Sequence, residues 1–288
     1  MSAHLLLAPL LFATVGGVHP AEPVWYARPP RHSHSIRVRI PPPAKGVKLP
    51  PIYGPTDPSR PLVVIDAGHG GHDPGAASRG GERQEKELTL ALALALRDRL
   101  VRGGRIRVAL TRGDDQFLLL QERYDIARRL GADLFISIHA DAAENDTAQG
   151  ATIYTLSETA SDREAARLAA RENRSDIING VDMGAQGGVV NSILIDLSQR
   201  EAMAQSVAFA ELLYREAAAH TPFRSNWHRF ASLVVLKAPD VPSILFEAGY
   251  ITSPQDVARL SSAQGRAQTA EGVARAIEIY FARRVSPR

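Results

Sequence analysis

From Leu62 onward, short β-branched runs alternate with helix-length stretches. LVVID (62–66), IRVAL (106–110), LFISI (134–138), ATIYT (151–155), LVVL (233–236) and SILFE (243–247) each have the length and apolar content of a buried strand. Between them, KELTLALALALRDRLVR (86–102) is an Ala/Leu-rich run without a breaker. Residues 119–130 and 161–174 are amphipathic and charged, and 198–219 and 264–284 carry apolar positions at helical spacing. Strands that alternate with helices predict an α/β fold, a mostly parallel twisted sheet of about six strands with helices on both faces. No repeat of solenoid length interrupts the pattern.

The pattern is absent before Pro61. Residues 22–60 are dense in proline and lack apolar periodicity, which favours extended, PPII-like chain, so this stretch is read as a disordered Pro-rich linker or tail. Ahead of it, LLLAPLLFATVGGV (5–18) is apolar, of signal-peptide length, and followed by small residues and a proline. The expected organisation is a signal peptide over 1–21, the basic linker over 22–60 and a catalytic body over 61–288.

Charge sharpens this division. Residues 22–60 carry seven Arg or Lys against Glu22 and Asp57, a balance of +5 within a whole-chain net charge of +3. The basic character belongs to the tail, where it suits an anionic surface or simply a solvated segment. A 44% hydrophobic content suffices for a sizeable core. The chain has no cysteine, which excludes disulfides, thiolate-ligated zinc and a cysteine nucleophile. No apolar run reaches transmembrane length, so no membrane span is expected.

The chemistry concentrates at strand ends. VVIDAGHGGHDPGA (63–76) leaves a strand and places His69 and His72 among glycines. A phosphate loop fails, because Ala76-Ala77-Ser78 stands where Lys-Ser/Thr is required. The dinucleotide pattern fails at Asp73, and G-x-S-x-G is absent. Metal binding survives, since imidazole and carboxylate suit zinc. His139 follows the strand 134–138 and Glu247 closes 243–247. Sites in parallel α/β sheets form outside the carboxyl ends of strands, so these three residues can converge if their strands are neighbours. Taken singly, each histidine could be an ordinary loop residue and Glu247 a cap or an ion-pair partner.

With these residues goes an ordered set of motifs: VVIDAGHGGHDPGA, EKELTLALAL, TRGDD…ERYDIAR, LFISIHADA, NSILIDLSQ and VLKAPDVPSILFEAGYITSP. Together they resemble the zinc-dependent N-acetylmuramoyl-L-alanine amidases of the cell-division type, over roughly residues 61–284. The resemblance implies zinc held by His69, Glu85 and His139, with Glu247 as catalytic acid/base. Glu85 enters only through the resemblance, because acids at a helix start are ordinarily explained by the helix dipole. Ala67, Asp141 and Tyr250 depart from the family's usual proline, asparagine and phenylalanine, and none falls on a ligand. His72 is read as a loop or supporting group.

The resemblance also implies the substrate, peptidoglycan, cut at the amide between N-acetylmuramic acid and L-alanine, for wall remodelling and daughter-cell separation after export to the periplasm. The stretch 157–191 is longer than a tight connection needs. In the family such an insertion covers the zinc. This implies an autoinhibitory zinc contact from Glu172, mobility from Gly184, Gly187 and Gly188, and an activator protein that relieves the block. A monomer with no nucleic-acid partner is expected. Two alternatives stay open at this point: a catalytically silent peptidoglycan-binding module, and another zinc peptidase or deacetylase on the same fold.

Overall fold

The computed structural model describes residues 48–143, 148–176 and 192–285. The signal-peptide segment, the linker up to residue 47, and Gly184, Gly187 and Gly188 lie outside the described residues.

Seven strands form one sheet in the order β1-β3-β2-β4-β7-β5-β6. They are β1 (Ile52–Tyr53), β2 (Leu62–Ala67), β3 (Arg107–Leu110), β4 (Leu134–His139), β5 (Ala151–Leu156), β6 (Phe223–Ala231) and β7 (Ser243–Glu247). Pairing is parallel between β2 and β3, β2 and β4, β4 and β7, and β5 and β6. Antiparallel pairs are β1 with β3 and β5 with β7. The helices are α1 (Glu85–Gly103), α2 (Leu120–Leu130), α3 (Arg163–Glu172), α4 (Ser192–Ala217), α5 (Pro254–Ser261) and α6 (Ala263–Val285).

Successive side chains of a strand point to opposite faces, and the core divides accordingly. Val63, Ile65, Ile136, Ile138, Ile244 and Phe246 share one cluster with Leu92 and Leu96 of α1, Phe209 and Leu213 of α4, and Val273 and Ile277 of α6. Val64, Phe135, Tyr154 and Leu245 face the other way, onto Ile126 of α2 and Leu168 of α3. Each central strand is buried on both faces, which is why it reads as a continuous apolar run.

Two expectations change. LVVL (233–236) is not a strand. Val234–Leu236 is one 3-10 turn whose Val235 and Leu236 are buried in the second cluster. Its apolar character comes from plugging a core, a signal that burial produces in any backbone conformation. The strand in this region is Phe223–Ala231, an edge strand with most of its residues half-buried or exposed. FRSNWHRFA therefore lacks both a continuous apolar run and a clean alternation. The seventh strand, Ile52–Tyr53, comes from the stretch read as linker and adds an exposed edge to β3.

The consequence for function lies in the register. β2, β4 and β7 are adjacent and parallel, so their carboxyl ends share one edge of the sheet. Ala67 pairs with Ile138, and His139 pairs with Glu247. β5 runs against β7 and sets Thr152 beside Glu247.

Candidate metal centre

Four side chains from four elements converge at that edge. His69 sits in the loop after β2, Glu85 is the first residue of α1, His139 ends β4 and Glu172 ends α3. One donor atom from each lies within 4.8 Å of all the others, and all four residues are buried. Nε2 of His69 is 3.2 Å from Oε2 of Glu85 and 3.6 Å from Oε2 of Glu172. Nδ1 of His139 is 3.3 Å from Oε1 of Glu85 and 3.1 Å from Oε2 of Glu172.

Local sequence explains the convergence. The absence of a side chain at Gly68 makes room for His139: a Cβ there would stand 2.5 Å from His139 Cε1. Gly75 does the same for the opposite wall, where a Cβ would stand 2.7 Å from both Glu85 Oε2 and His69 Cδ2. The helix carrying Glu85 is closed at its start by Glu87, whose carboxylate accepts the Gln84 N–H at 3.5 Å and whose own N–H donates to Gln84 O at 3.1 Å. Glu85 is then oriented by two backbone donors, Ala76 N–H at 3.0 Å and Ala140 N–H at 2.8 Å.

The donor set fits a divalent cation. Nε2 of His69 and Nδ1 of His139 are buried without a hydrogen-bond partner, although carboxylate oxygens stand close by. Buried polar atoms are ordinarily paired. Close approach without hydrogen-bond geometry is the arrangement of atoms that share a central ion. The four histidine-to-carboxylate separations, 3.1–3.6 Å, lie near the edge length of a tetrahedron of ligands at zinc–nitrogen and zinc–oxygen bond lengths, about 3.3 Å. The ring of His69 is oriented from behind, with Asp73 Oδ2 2.9 Å from Nδ1, the usual support for an imidazole ligand.

Electrostatics agree. Burial opposes charge on His69, yet Glu85 and Glu172 beside it hold its imidazole well above the usual histidine range. Burial likewise opposes charge on His139, and Glu172 and Glu85 again raise it. Glu85 is pushed up by burial, but the two imidazoles win and hold it well below the usual carboxylate range. A site that binds protons this firmly at its nitrogens offers the same field to a cation.

Glu247 is different. It is fully buried, its Oε2 accepts the Asp141 N–H at 3.1 Å, and its Oε1 has no partner. Burial first, then Asp141, Glu85 and Glu172, raise it well above the usual carboxylate range. A carboxyl that takes up a proton readily, beside a cation-shaped cluster, has the properties of a general acid/base. Asp141 is pushed up to about 7 by burial, Glu172 and Glu85, against the Arg171 guanidinium paired with it.

The structure thus brings together all five residues singled out from the sequence, with Glu247 as the cross-strand neighbour of His139. His72 is set apart, exposed and against the Phe117 ring at 4.3 Å. Sequence reasoning missed Asp73. Its signal was present, a carboxylate four residues after His69 and directly before the proline of a turn.

Comparison with known proteins agrees with this geometry. A family model described as N-acetylmuramoyl-L-alanine amidase matches residues 63–279. The chain is 37% identical over 221 residues to the N-acetylmuramoyl-L-alanine amidase AmiA of Escherichia coli, covering 76% of each chain. It is 34% identical over 249 residues to AmiC of another Escherichia coli strain, covering 86% of this chain and 58% of AmiC. Among solved structures it is similar to the amidase AmiC2 of Nostoc punctiforme, with a TM-score of 0.54 at 28% identity, covering 77% of this chain and 97% of that one. The catalytic domain of CwlV from Bacillus (Paenibacillus) polymyxa gives a TM-score of 0.57 at 26% identity, covering 77% and 98%.

Proposed function

The chain belongs to the N-acetylmuramoyl-L-alanine amidase family and hydrolyses the amide between N-acetylmuramic acid and L-alanine in peptidoglycan; from that premise we propose that His69, Glu85 and His139 hold a zinc ion and that Glu247 moves the protons of the reaction. The observation that carries this reading is the convergence of His69, Glu85 and His139 beside a buried, proton-accepting Glu247.

When bound, zinc supplies Lewis-acid chemistry at this point, polarising the scissile carbonyl and making water a stronger acid. The chain's own residues do the rest. Glu247, through its unpartnered Oε1, accepts a proton from the attacking water as the C–O bond forms. It returns that proton to the alanine nitrogen as the C–N bond breaks, because an amine leaves only once protonated. The Asp141 N–H keeps the Glu247 carboxyl fixed between these transfers. Burial of the pocket walls keeps bulk water from competing for the proton.

Glu172 is the internal brake in this reading. A catalytic zinc site keeps three protein ligands and one open position, and the Glu172 carboxylate, 3.1–3.6 Å from the histidine nitrogens, would take that position when the ion is bound. Its helix is anchored on the body by the Arg171–Asp141 ion pair and by Asn173, which donates to Ser232 O at 2.8 Å and accepts from Val234 N at 2.9 Å. An activator protein that withdraws the 157–191 segment opens the centre. Export through the 1–21 segment to the periplasm, action as a monomer on the wall, and a role in daughter-cell separation complete the proposal. Digestion of purified peptidoglycan, followed by mass analysis of the released ends, tests it: free L-alanine amino termini and intact lactyl groups are expected, and any other new end overturns it.

A further inference from the structure

His69 is the only non-glycine residue with a positive φ among the described residues, at 61°. The left-handed region costs an ordinary L-residue about 1–2 kcal/mol, so something must hold it there. A glycine would remove the strain, but the imidazole is what the site needs.

Two buried arginines supply the hold. Arg123 Nη2 donates to His69 O at 2.9 Å, and its Nη1 donates to Ala67 O at 2.9 Å and Asp66 Oδ1 at 3.0 Å. Arg112 Nε donates to Ala67 O at 2.8 Å, and its Nη2 donates to Gly68 O at 2.8 Å. Three consecutive carbonyls, 67, 68 and 69, are therefore all taken by guanidinium donors. Thr89 Oγ1 adds a second donor to Gly68 O at 2.9 Å. Arg112 and Arg123 are 1% and 2% exposed, which is rare for arginine, and the mechanism uses neither side chain. Among the described residues no carboxylate lies within ion-pair distance of Arg112, and its remaining acceptors are the carbonyls of Lys86 and Asp114 and the Thr89 hydroxyl. Burying two guanidiniums on carbonyls, with Asp66 as the one paired carboxylate, makes sense only if the carbonyl geometry matters.

We propose that Arg123 and Arg112 are positioning residues that clamp carbonyls 67–69, hold His69 in its left-handed conformation, and so set the affinity of the His69–Glu85–His139 cluster for a divalent cation. The inference rests on the zinc reading above. A planar fork is what the task requires: one guanidinium reaches two carbonyls separated by a residue, and a lysine ammonium cannot reproduce that bridge.

The test is zinc affinity of the metal-free full chain, read by competition with a chelating dye, so catalysis plays no part. Arg123→Lys keeps the charge and loses the fork, and is expected to weaken zinc binding about 10–100-fold, the range for residues that orient ligands. Thermal unfolding of the same preparation confirms that it remains folded. Arg112→Lys, which leaves the Asp66 pair intact, is expected to weaken binding in the same direction and serves if the first variant does not fold. The decisive readout is coupling. In a His69→Ala background, Arg123→Lys should produce no further loss, because the arginine acts through His69. Wild-type affinity in folded Arg123→Lys and Arg112→Lys overturns the inference, as does an equal loss with and without His69. If the unaltered chain binds no zinc, the zinc reading itself fails and this inference falls with it.

Discussion

Oε2 of Glu172 stands 3.1 Å from Nδ1 of His139, closer than either oxygen of Glu85, which approaches that nitrogen at 3.3 Å. The two carboxylates reach the same imidazole from different helices, one at the start of α1 and one at the end of α3. They are not equivalent. Glu85 is held by two backbone N–H donors, whereas among the described residues no backbone N–H donates to the Glu172 carboxylate.

On the proposed brake, this asymmetry would make Glu172, rather than Glu85, the donor that can be withdrawn. Glu172→Ala is expected to raise basal hydrolysis of peptidoglycan while leaving zinc stoichiometric. A rise of about tenfold corresponds to a bias of about 1.4 kcal/mol toward the covered arrangement. Turbidity loss of a peptidoglycan suspension, together with elemental analysis of the same preparation, measures both quantities. Unchanged turnover at full zinc content would sink the brake.

Glu247→Gln keeps the size and the acceptor for the Asp141 N–H but cannot shuttle a proton. It is expected to lower kcat by about two to four orders of magnitude. KM and bound zinc should stay near their original values. Appreciable turnover at full zinc occupancy would remove Glu247 from the reaction.

Gly68→Ala places a methyl group 2.5 Å from His139 Cε1 and 2.6 Å from Nε2. The ring must move, and the cost of overpacking at such a position is about 1–3 kcal/mol. The expected result is a lower unfolding midpoint and weaker zinc binding together. A folded variant with unaltered affinity would show that the His139 ring tolerates displacement.

Much of this centre could be read before the fold was known, and the reasons differ by residue. His69, His139 and Glu247 each follow or close a strongly apolar run, and such runs become the doubly buried strands of a parallel sheet. Their convergence needed only adjacency of β2, β4 and β7. Glu85 was legible through family motifs alone, because an acid at a helix start satisfies the helix dipole equally well when it binds nothing. Arg112 and Arg123 fall inside the TRGDD and ERYDIAR motifs, but neither stood out as a buried residue. On a sequence both look like surface charges, and burial by carbonyl acceptors leaves no mark on periodicity. The reversal of β5 was hidden for a related reason. A buried strand is apolar in either direction, so its sequence does not show that β5 runs against β7 with Thr152 beside Glu247. β6 was missed because an edge strand exposes polar side chains, whereas Val235 and Leu236 gave a false strand by filling a core from a single turn.

Below the centre, Asp66 is fully buried and accepts Thr111 Oγ1 and Ser137 Oγ at 2.6 Å each and Arg123 Nη1 at 3.0 Å. Burial alone would raise its carboxyl, but the Arg123 charge and the two hydroxyl donors outweigh burial and bring it below the usual carboxylate range. A group whose folded pKa is depressed stabilises the fold wherever it is ionised in the unfolded chain. That contribution is complete above the unfolded value, about 3.9, and is lost as pH falls toward the folded value. Asp66→Asn removes the titrating charge and leaves the buried Arg123 guanidinium uncompensated, a loss of about 3–5 kcal/mol near neutrality. The stability gap between the two proteins, taken from urea midpoints, should therefore be flat from neutral pH down to about pH 5 and narrow below about pH 4. A gap that stays constant or widens through that acid range would mean that the Asp66 carboxyl is not held below its unfolded value, and that the Arg123 clamp rests on its carbonyl acceptors alone.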